Sequence, residues 1–339
     1  MTASAVGSGW RLVRRLADGD YHSGETIARD LGVSRAAVWK ALRRISGELG
    51  LTIESKSGRG YRLSAPLELL DEARIATELA ALEQTRIARL ELHAQIDSTN
   101  VRLMAAAAAG APGGTVCLAE RQTAGRGRRG RLWVSPFGAN LYLSILWRFA
   151  QGPAALGGAS LAAGVAVAQV LRRLGLAEIA LKWPNDLLWQ GRKLGGLLLE
   201  VAGEAQGPSY LVAGLGLNLR MGEAQGLAID QPWTDLARAA GGALPGRNRL
   251  AAQLIDALAR ALERYGEQGL TPFLDAWRSF DRLHGARVWL RLGERTLVGA
   301  HAGIGPDGSL QLLTPEGMRS FQAGEVSLRP LGDSGETVE

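Results

Sequence analysis

Four arginines stand within residues 125–131, with Gly127 and Gly130 between them and Trp133 just beyond. A guanidinium fork matches two oxygens of a carboxylate or phosphate at once. Glycine lets the backbone turn tightly and come close to a ligand. The run Gly125-Arg126-Gly127-Arg128-Arg129-Gly130-Arg131 therefore predicts a loop that closes over an anion. Its glycines also satisfy G-x-G-x-x-G, but residues 132–138 are turn-rich, and no helix with a ribose-binding acid about 20 residues on follows. That context excludes a dinucleotide fingerprint. A solvated basic loop has the same composition, so the rest of the chain decides.

Three further clusters carry polar chemistry. Asp97-Ser98-Thr99-Asn100 supplies caps for a helix in which Val101, Met104, Ala105 and Ala108 recur at helical spacing. Such hydroxyls and amides either only cap the helix or also face a polar ligand. Lys182-Trp183-Pro184-Asn185-Asp186-Leu187 reads as a strand-end turn; its lysine, asparagine and aspartate suit a nucleotide and its magnesium. Lys193-Leu194-Gly195-Gly196-Leu197-Leu198-Leu199-Glu200 opens a strand whose glycines let a ligand lie against bare backbone. Residues 210–219 form another strand, its apolar run broken by Gly214, Gly216 and Asn218.

The elements that must position these clusters alternate. Strands are predicted over residues 90–96, 115–120 and 140–147, with Gln122 opening the arginine loop, and helices over 248–266 and 271–281. At 339 residues, with 46% hydrophobic and 21% charged side chains, the chain suits two or three globular domains. The single cysteine, Cys117, makes an internal disulfide impossible and fits a reducing compartment. The four histidines show no metal-ligand spacing, so no metal site is expected. The N-terminus lacks the apolar core of a signal peptide. The uncharged run 154–171 approaches membrane-spanning length, but it is mostly alanine and interrupted by Gly157, Gly158, Ser160, Gly164 and Gln169. A buried core helix in a cytoplasmic protein without a membrane partner is the expectation. Only Lys40, Lys56, Lys182 and Lys193 are lysines, which singles each of them out.

The net charge of +6 is concentrated. Residues 1–65 hold eleven Lys/Arg against six Asp/Glu, and the other 274 hold 28 against 27. Trp10, Val13 and Leu16 predict a first helix. Ser23 caps a second with Ile27, Ala28 and Leu31 on one face, and after the Gly32 turn Ser34 caps a third running to about Ser46. Val38, Leu42 and Ile45 form the third helix's inner stripe, while Ser34, Arg35, Ala36, Lys40 and Arg43 face outward. Two strands, at 51–54 and 60–63, flank a basic wing with Lys56, Gly58 and Arg59. Charge and helix grammar together predict a winged helix-turn-helix that binds DNA through Ser34, Arg35, Ala36, Lys40, Arg43, Lys56 and Arg59. A small helical interaction domain with a solvated basic face is the rival. Pro66 ends this domain, and an acidic amphipathic stretch over 68–82 leads onward.

The ordered set of motifs, from Asp97–Asn100 through Gln122 and the arginine loop to Lys182–Leu187, Lys193–Glu200 and residues 214–219, resembles the biotin–protein ligase family. With the winged helix in front it is similar to the bifunctional kind, in which the ligase is also the repressor of a biotin operon. Every motif is present from about residue 10 to the C-terminus; Gly195 and Leu198 depart conservatively. The resemblance implies ATP-dependent formation of biotinoyl-5′-adenylate, then transfer to a lysine of a biotin carboxyl carrier protein. An anionic carboxylate attacks an anionic α-phosphate, so fixed cations are the main requirement. Arg126, Arg128 and Lys193 are the implied catalytic cations. Asp186 joins them either as a magnesium ligand or by helping to deprotonate the incoming lysine. Ser98, Thr99, Asn100 and Gln122 match the ureido ring, with Arg126, Gly127, Arg128 and Lys193 completing the biotin site. Arg128, Arg131, Trp133, Asn185 and Asn218 are assigned to ATP and the adenylate. ATP with magnesium enters as a substrate complex, biotin is the other substrate, and no permanently bound cofactor is expected.

Near the end, Val288, Leu290 and Leu292 alternate inward, residues 296–300 form a strand, and Gly305-Pro306-Asp307-Gly308 is a turn before 310–313, Phe321 and 326–328. This is the pattern of a small SH3-like barrel, which by resemblance caps the ligase domain and helps meet the carrier. The expected architecture is α+β and multidomain: residues 1–65 a winged helix-turn-helix, 66–283 a ligase domain with a mixed sheet, and 284–339 the small barrel. Operator DNA and a homodimer of the adenylate-bound form complete the expected partners. The rival readings are a ligase with a vestigial N-terminal domain and a ligand-sensing repressor without transferase activity. A lipoate ligase is less suited, because the polar set at 98–100 and 122 matches a ureido ring better than a dithiolane.

Overall fold

Three helices, α1 (Ala3–Leu16), α2 (Gly24–Leu31) and α3 (Arg35–Leu49), precede a hairpin of β1 (Ile53–Lys56) and β2 (Gly60–Leu63) in the computed structural model. The structure describes residues 3–83, 86–241, 244–292, 295–322 and 326–330. Ser23 and Ser34 cap α2 and α3, their hydroxyls accepting from Glu25 N and Ala37 N. Each cap satisfies an amide the helix start leaves unpaired, worth about 1 kcal/mol. Val38, Leu42 and Ile45 are buried, as their spacing requires. α3 outruns its expected end near Ser46 by one turn, and β1 begins at Ile53, later than expected. Phe137, from the far side of the arginine loop, completes this small core edge-on to Trp10.

The centre comprises α4 (Glu72–Ala81), β3 (Arg89–His93), α5 (Thr99–Ala108), β4 (Thr115–Ala119), β5 (Asn140–Phe149), α6 (Ala159–Arg173), β6 (Ile179–Lys182), β7 (Asp186–Trp189), β8 (Arg192–Gly203) and β9 (Ser209–Asn218). Two single-turn helices, α7 (Glu223–Gly226) and α8 (Leu236–Ala239), then lead to α9 (Arg247–Gln268) and α10 (Leu274–Phe280). The seven strands run β3-β4-β5-β9-β8-β7-β6; only β3 and β4 are parallel. Alternation sorts the sheet into two faces. Leu141, Leu143 and Ile145 of β5 and Leu211, Ala213, Leu215 and Leu217 of β9 join the main core with α6 and α9. The stretch Pro153–Arg173 is long and apolar enough to cross a membrane, yet most of it is buried here. On the opposite face α5 packs on Cys117, Leu146 and Val212, and Ser144, Gly214, Gly216 and Asn218 lie on that same face. That helix turns differently from its apolar spacing: Val101 is exposed, and Thr99, Asn100, Leu103 and Ala107 face inward. The polar pair is drawn in by hydrogen bonds, which outweigh the apolar stripe.

The last five strands, β10 (Arg287–Leu292), β11 (Arg295–Ile304), β12 (Leu310–Thr314), β13 (Gly317–Phe321) and β14 (Val326–Pro330), form an antiparallel SH3-like sheet, ordered β13-β12-β11-β10-β14. Val288, Leu290, Leu310 and Leu312 merge with the central core; Leu292 is only half-buried. Residues 331–339 lie outside the described residues.

Candidate active site

A cavity of about 380 Å³ opens on the face of the sheet opposite α6. Ser98, Thr99, Asn100, Gln122, Arg126, Gly127, Arg128, Arg131, Trp133, Asn185, Asp186, Lys193 and Asn218 all line it, so the structure brings together every residue assigned to biotin, ATP or catalysis. The floor is glycine where side chains lie flat on it. A Cβ on Gly214 would stand 2.1 Å from Asn100 Oδ1, and one on Gly216 would stand 2.5 Å from the Trp133 ring. These glycines admit Asn100 and Trp133 to bare backbone, which is the close approach that glycine alone permits.

At one end is a network of amides and hydroxyls. Thr99 N donates to Gln122 Oε1 at 2.9 Å, which fixes the Gln122 amide with Nε2 as its donor end. Asn100 Nδ2 donates to Leu198 O at 3.1 Å and to Glu200 Oε2 at 2.8 Å. Ser144, fully buried in β5, donates to Asn100 Oδ1 at 2.6 Å and lies 2.7 Å from Thr99 Oγ1. Ser144 and Glu200 have no assigned role in the motifs. A serine inside the apolar run of β5 was the available signal, because a buried hydroxyl requires a partner.

At the other end, Asp186 holds two ammonium groups, Lys193 at 2.8 Å and Lys182 at 3.2 Å. Burial alone would raise the Asp186 pKa, but Lys193 and Lys182 outweigh it and hold the carboxyl at about 2. A β-bulge makes this geometry. Leu187 of β7 pairs with Gly195, whereas Leu188 pairs with Lys193, so Leu194 is extra. Strict alternation would send Lys193 to the face opposite Gly196; the bulge re-aims it beside Asp186. Lys193 Nζ also lies 5.6 Å from the Trp133 ring centroid. Both Asp186 oxygens are occupied by lysines, so this carboxylate does not fit a resident magnesium ion.

The arginine loop folds back on itself. Gly127 N donates to Arg131 O at 2.7 Å, and Trp133 N donates to Gly125 O at 2.9 Å. Arg126 and Arg131 are exposed at the mouth, and Arg128 is half-buried, its guanidinium pushed below its usual pKa by burial. Asn185 Nδ2 donates to Leu197 O, which fixes the amide at the cavity wall. Asn218 is buried, with Nδ2 donating to Thr234 O at 3.1 Å and Oδ1 facing Asn140 Nδ2 at 3.4 Å. In this state Asn218 ties down the segment before α8. That segment adds Ile229 and Trp233 to the wall, residues for which no motif stood out in a turn-rich stretch.

The residues assigned to DNA lie elsewhere. Arg35, Ala36, Lys40 and Arg43 are exposed on α3, while Ser34 uses its hydroxyl as the cap. Arg43 stacks on Trp39 at 5.0 Å and Arg59 on Tyr21 at 4.6 Å. Away from both surfaces, Glu91, His93 and Cys117 bring ligand-type atoms within 4.8 Å of one another. Arg102 already occupies both Glu91 oxygens, and burial pushes the Cys117 thiol up to about 12, so the trio reads as a packed ion-pair cluster.

Three family patterns match the chain in this order: an HTH domain over residues 11–62, the biotin/lipoate A/B protein ligase family over 92–218, and the biotin protein ligase C-terminal domain over 283–329. The bifunctional ligase/repressor BirA of Salmonella typhimurium is 42% identical over 318 residues, 94% of this chain and 96% of that protein. Its Escherichia coli counterpart is 41% identical over 319 residues, with the same coverage. Among solved structures, the biotin protein ligase of Aquifex aeolicus in complex with biotin and ATP superposes with a TM-score of 0.61 at 29% identity, covering 72% of this chain and all of that one. A cavity assembled from the ligase motifs, a winged helix before it and near-complete alignment with these relatives agree: the chain belongs to the family of bifunctional ligase/repressor BirA proteins.

Proposed function

We propose that the cavity joins biotin to ATP as biotinoyl-5′-adenylate and passes the biotinoyl group to a lysine of a carrier protein, while the winged helix binds operator DNA as a biotin-responsive repressor. The observation that carries the ligase reading is the cavity's polarity. A hydrogen-bonding end of amides and hydroxyls, Thr99–Gln122–Asn100–Ser144, faces a cationic end, Lys193–Lys182 with the arginine loop. Biotin has the same polarity, with a ureido ring at one end and a carboxylate at the other. Gln122 Nε2 serves the ureido carbonyl, and Ser98, Thr99 and Asn100 serve its N–H groups. An analogue without the ring offers no acceptor to the Gln122 Nε2 donor and binds more weakly for that reason.

Biotin's carboxylate is ionised near neutral pH, so adenylation needs no general base. It needs repulsion between carboxylate and α-phosphate relieved inside a shielded site. Lys193, aimed by the bulge and steadied by Asp186, supplies that charge, with Arg126 and Arg128 closing over the product. Magnesium arrives with ATP as part of the substrate. Asp186 is so acidic that it is a poor proton acceptor, which favours a role in holding Lys182 and Lys193. Arg131, Trp133 and Asn185 face the nucleotide; Asn218 keeps the adjoining wall in place.

For the repressor, Arg35, Lys40 and Arg43 enter the major groove or meet its phosphates, and Lys56 and Arg59 extend along the wing. One winged helix makes a small contact, so two copies on a palindromic operator are required. The adenylate favours that dimer by binding it more tightly than the monomer. Domain borders at 65/66 and 283/284 suit the three sheets. Incubation with biotin, labelled ATP and a carrier domain tests the ligase reading: labelled adenylate followed by a biotinylated carrier lysine is expected, and neither product would leave a binding protein only. Footprinting with and without biotin plus ATP tests the repressor; equal operator affinity in both conditions would reduce the winged helix to a vestige.

A further inference from the structure

β6 is the edge strand of the seven-stranded sheet, four residues long, with β7 as its strand neighbour among the described residues. A short edge strand has free backbone groups on one side, and its position depends on what covers that side. This strand ends in Lys182, and the turn after it delivers Asp186. The cover comes from the far end of the chain. Leu181 forms a parallel bridge with Asp281, whose carboxylate pairs with His301 of β11 at 2.7 Å, both side chains shut off from solvent. Trp183 is 2% exposed, and its indole N–H donates to the Gly308 carbonyl at 3.0 Å, in the turn between β11 and β12. That acceptor is itself wedged. Gly308 has φ +82°, and a Cβ there would come within 3.0 Å of Leu270 and 3.1 Å of Leu161 of α6.

We propose that Trp183, anchored on Gly308 of the C-terminal sheet, positions Lys182 and through it the Asp186–Lys193 pair. Trp183 borders the cavity, but its ring is almost wholly buried and its only polar group is spent on Gly308, so it acts as a positioning residue. Without the anchor, Lys182 and the turn carrying Asp186 swing with an edge strand that has lost its cover. The cation that must face the α-phosphate then loses its alignment. Small displacements of a charged group at a reacting centre have large effects on rate. The proposal rests on the ligase reading and adds the means by which its cationic end is held.

The test uses full-length protein, single-turnover adenylate formation from biotin and magnesium-ATP, and biotin binding measured separately. Trp183→Phe keeps the ring and removes the donor. We expect the adenylation rate constant to fall about tenfold while the biotin Kd stays within about a factor of two. If Trp183 acts through Lys182, the same change in a Lys182→Ala background has no further effect. Ile255→Val, a methyl deletion in α9 within the same core, controls for general loosening and leaves the rate unchanged. An undiminished rate in Trp183→Phe overturns the proposal. So does the same fractional loss in the Lys182→Ala background, or an equal loss in Ile255→Val. A Lys182→Ala protein that adenylates at full rate refutes the route while the ligase reading stands. Absence of adenylate from the unsubstituted protein removes the reading itself.

Discussion

On the winged helix, Arg35, Lys40 and Arg43 project into solvent, and Arg43 and Arg59 rest on the faces of Trp39 and Tyr21. In the cavity, the side chains of Lys182 and Lys193 are only 17% and 18% exposed and share one carboxylate. The two cationic surfaces therefore obey different electrostatics. Exposed charges act in high dielectric, are screened by salt and add in small increments along a polyanion. Shielded charges act strongly over a short range but must be paired until the ligand arrives, because an unpaired buried charge is costly. One chain thus carries an exposed cationic surface whose interactions are sensitive to salt and a shielded cationic cavity whose interactions are far less so.

The sharpest way to break that contrast is Lys193→Ala. Adenylation should slow by about 10²–10³, the usual effect of removing one preorganised donor from a closed site. Biotin binding should weaken far less. A single-turnover rate equal to the parent's would move Lys193 out of the chemistry.

Asp186→Asn comes next and is read through pH. The folded carboxyl lies at about 2 against an ordinary 3.8. A lowered folded value means the carboxylate stabilises the fold fully above pH about 4 and loses that contribution as pH falls toward 2. Denaturant titrations of the two proteins should differ by roughly 2 kcal/mol at pH 6 and converge toward pH 2. A gap independent of pH would show that the lysines do not depend on this charge.

Arg128→Gly should let biotinoyl-adenylate escape about tenfold faster, as expected for loss of one charge-assisted contact. The released mixed anhydride would then acylate lysines of an unrelated protein. An unchanged off-rate with no stray labelling would leave the loop outside the retention of the intermediate.

The smallest effects belong to the exposed surface. Lys40→Ala or Arg43→Ala should each flatten the slope of log operator affinity against log salt by about one. Adenylation rates should stay unchanged. A variant that keeps the parent's slope does not face a phosphate.

Much of this molecule was legible before any coordinates. Caps at Ser23 and Ser34 and the stripe Val38–Leu42–Ile45 follow from contacts within a few residues, where spacing alone determines which face is apolar. The clustering of Ser98–Asn100, Gln122, Arg126–Arg131 and Lys193 was also legible, through the order of their motifs. Other features depended on neighbours distant in sequence. α5 buries Asn100 and not Val101 because Ser144, Leu198 and Glu200 offer it hydrogen bonds across the sheet. Lys193 faces Asp186 only because a bulge at Leu194 shifts the register. Trp183 finds its acceptor 125 residues away, at Gly308. Local periodicity encodes which residues are apolar on which face. A register shift, a cross-sheet hydrogen bond or a contact between domains is decided by long-range packing, for which a single chain of letters carries no period.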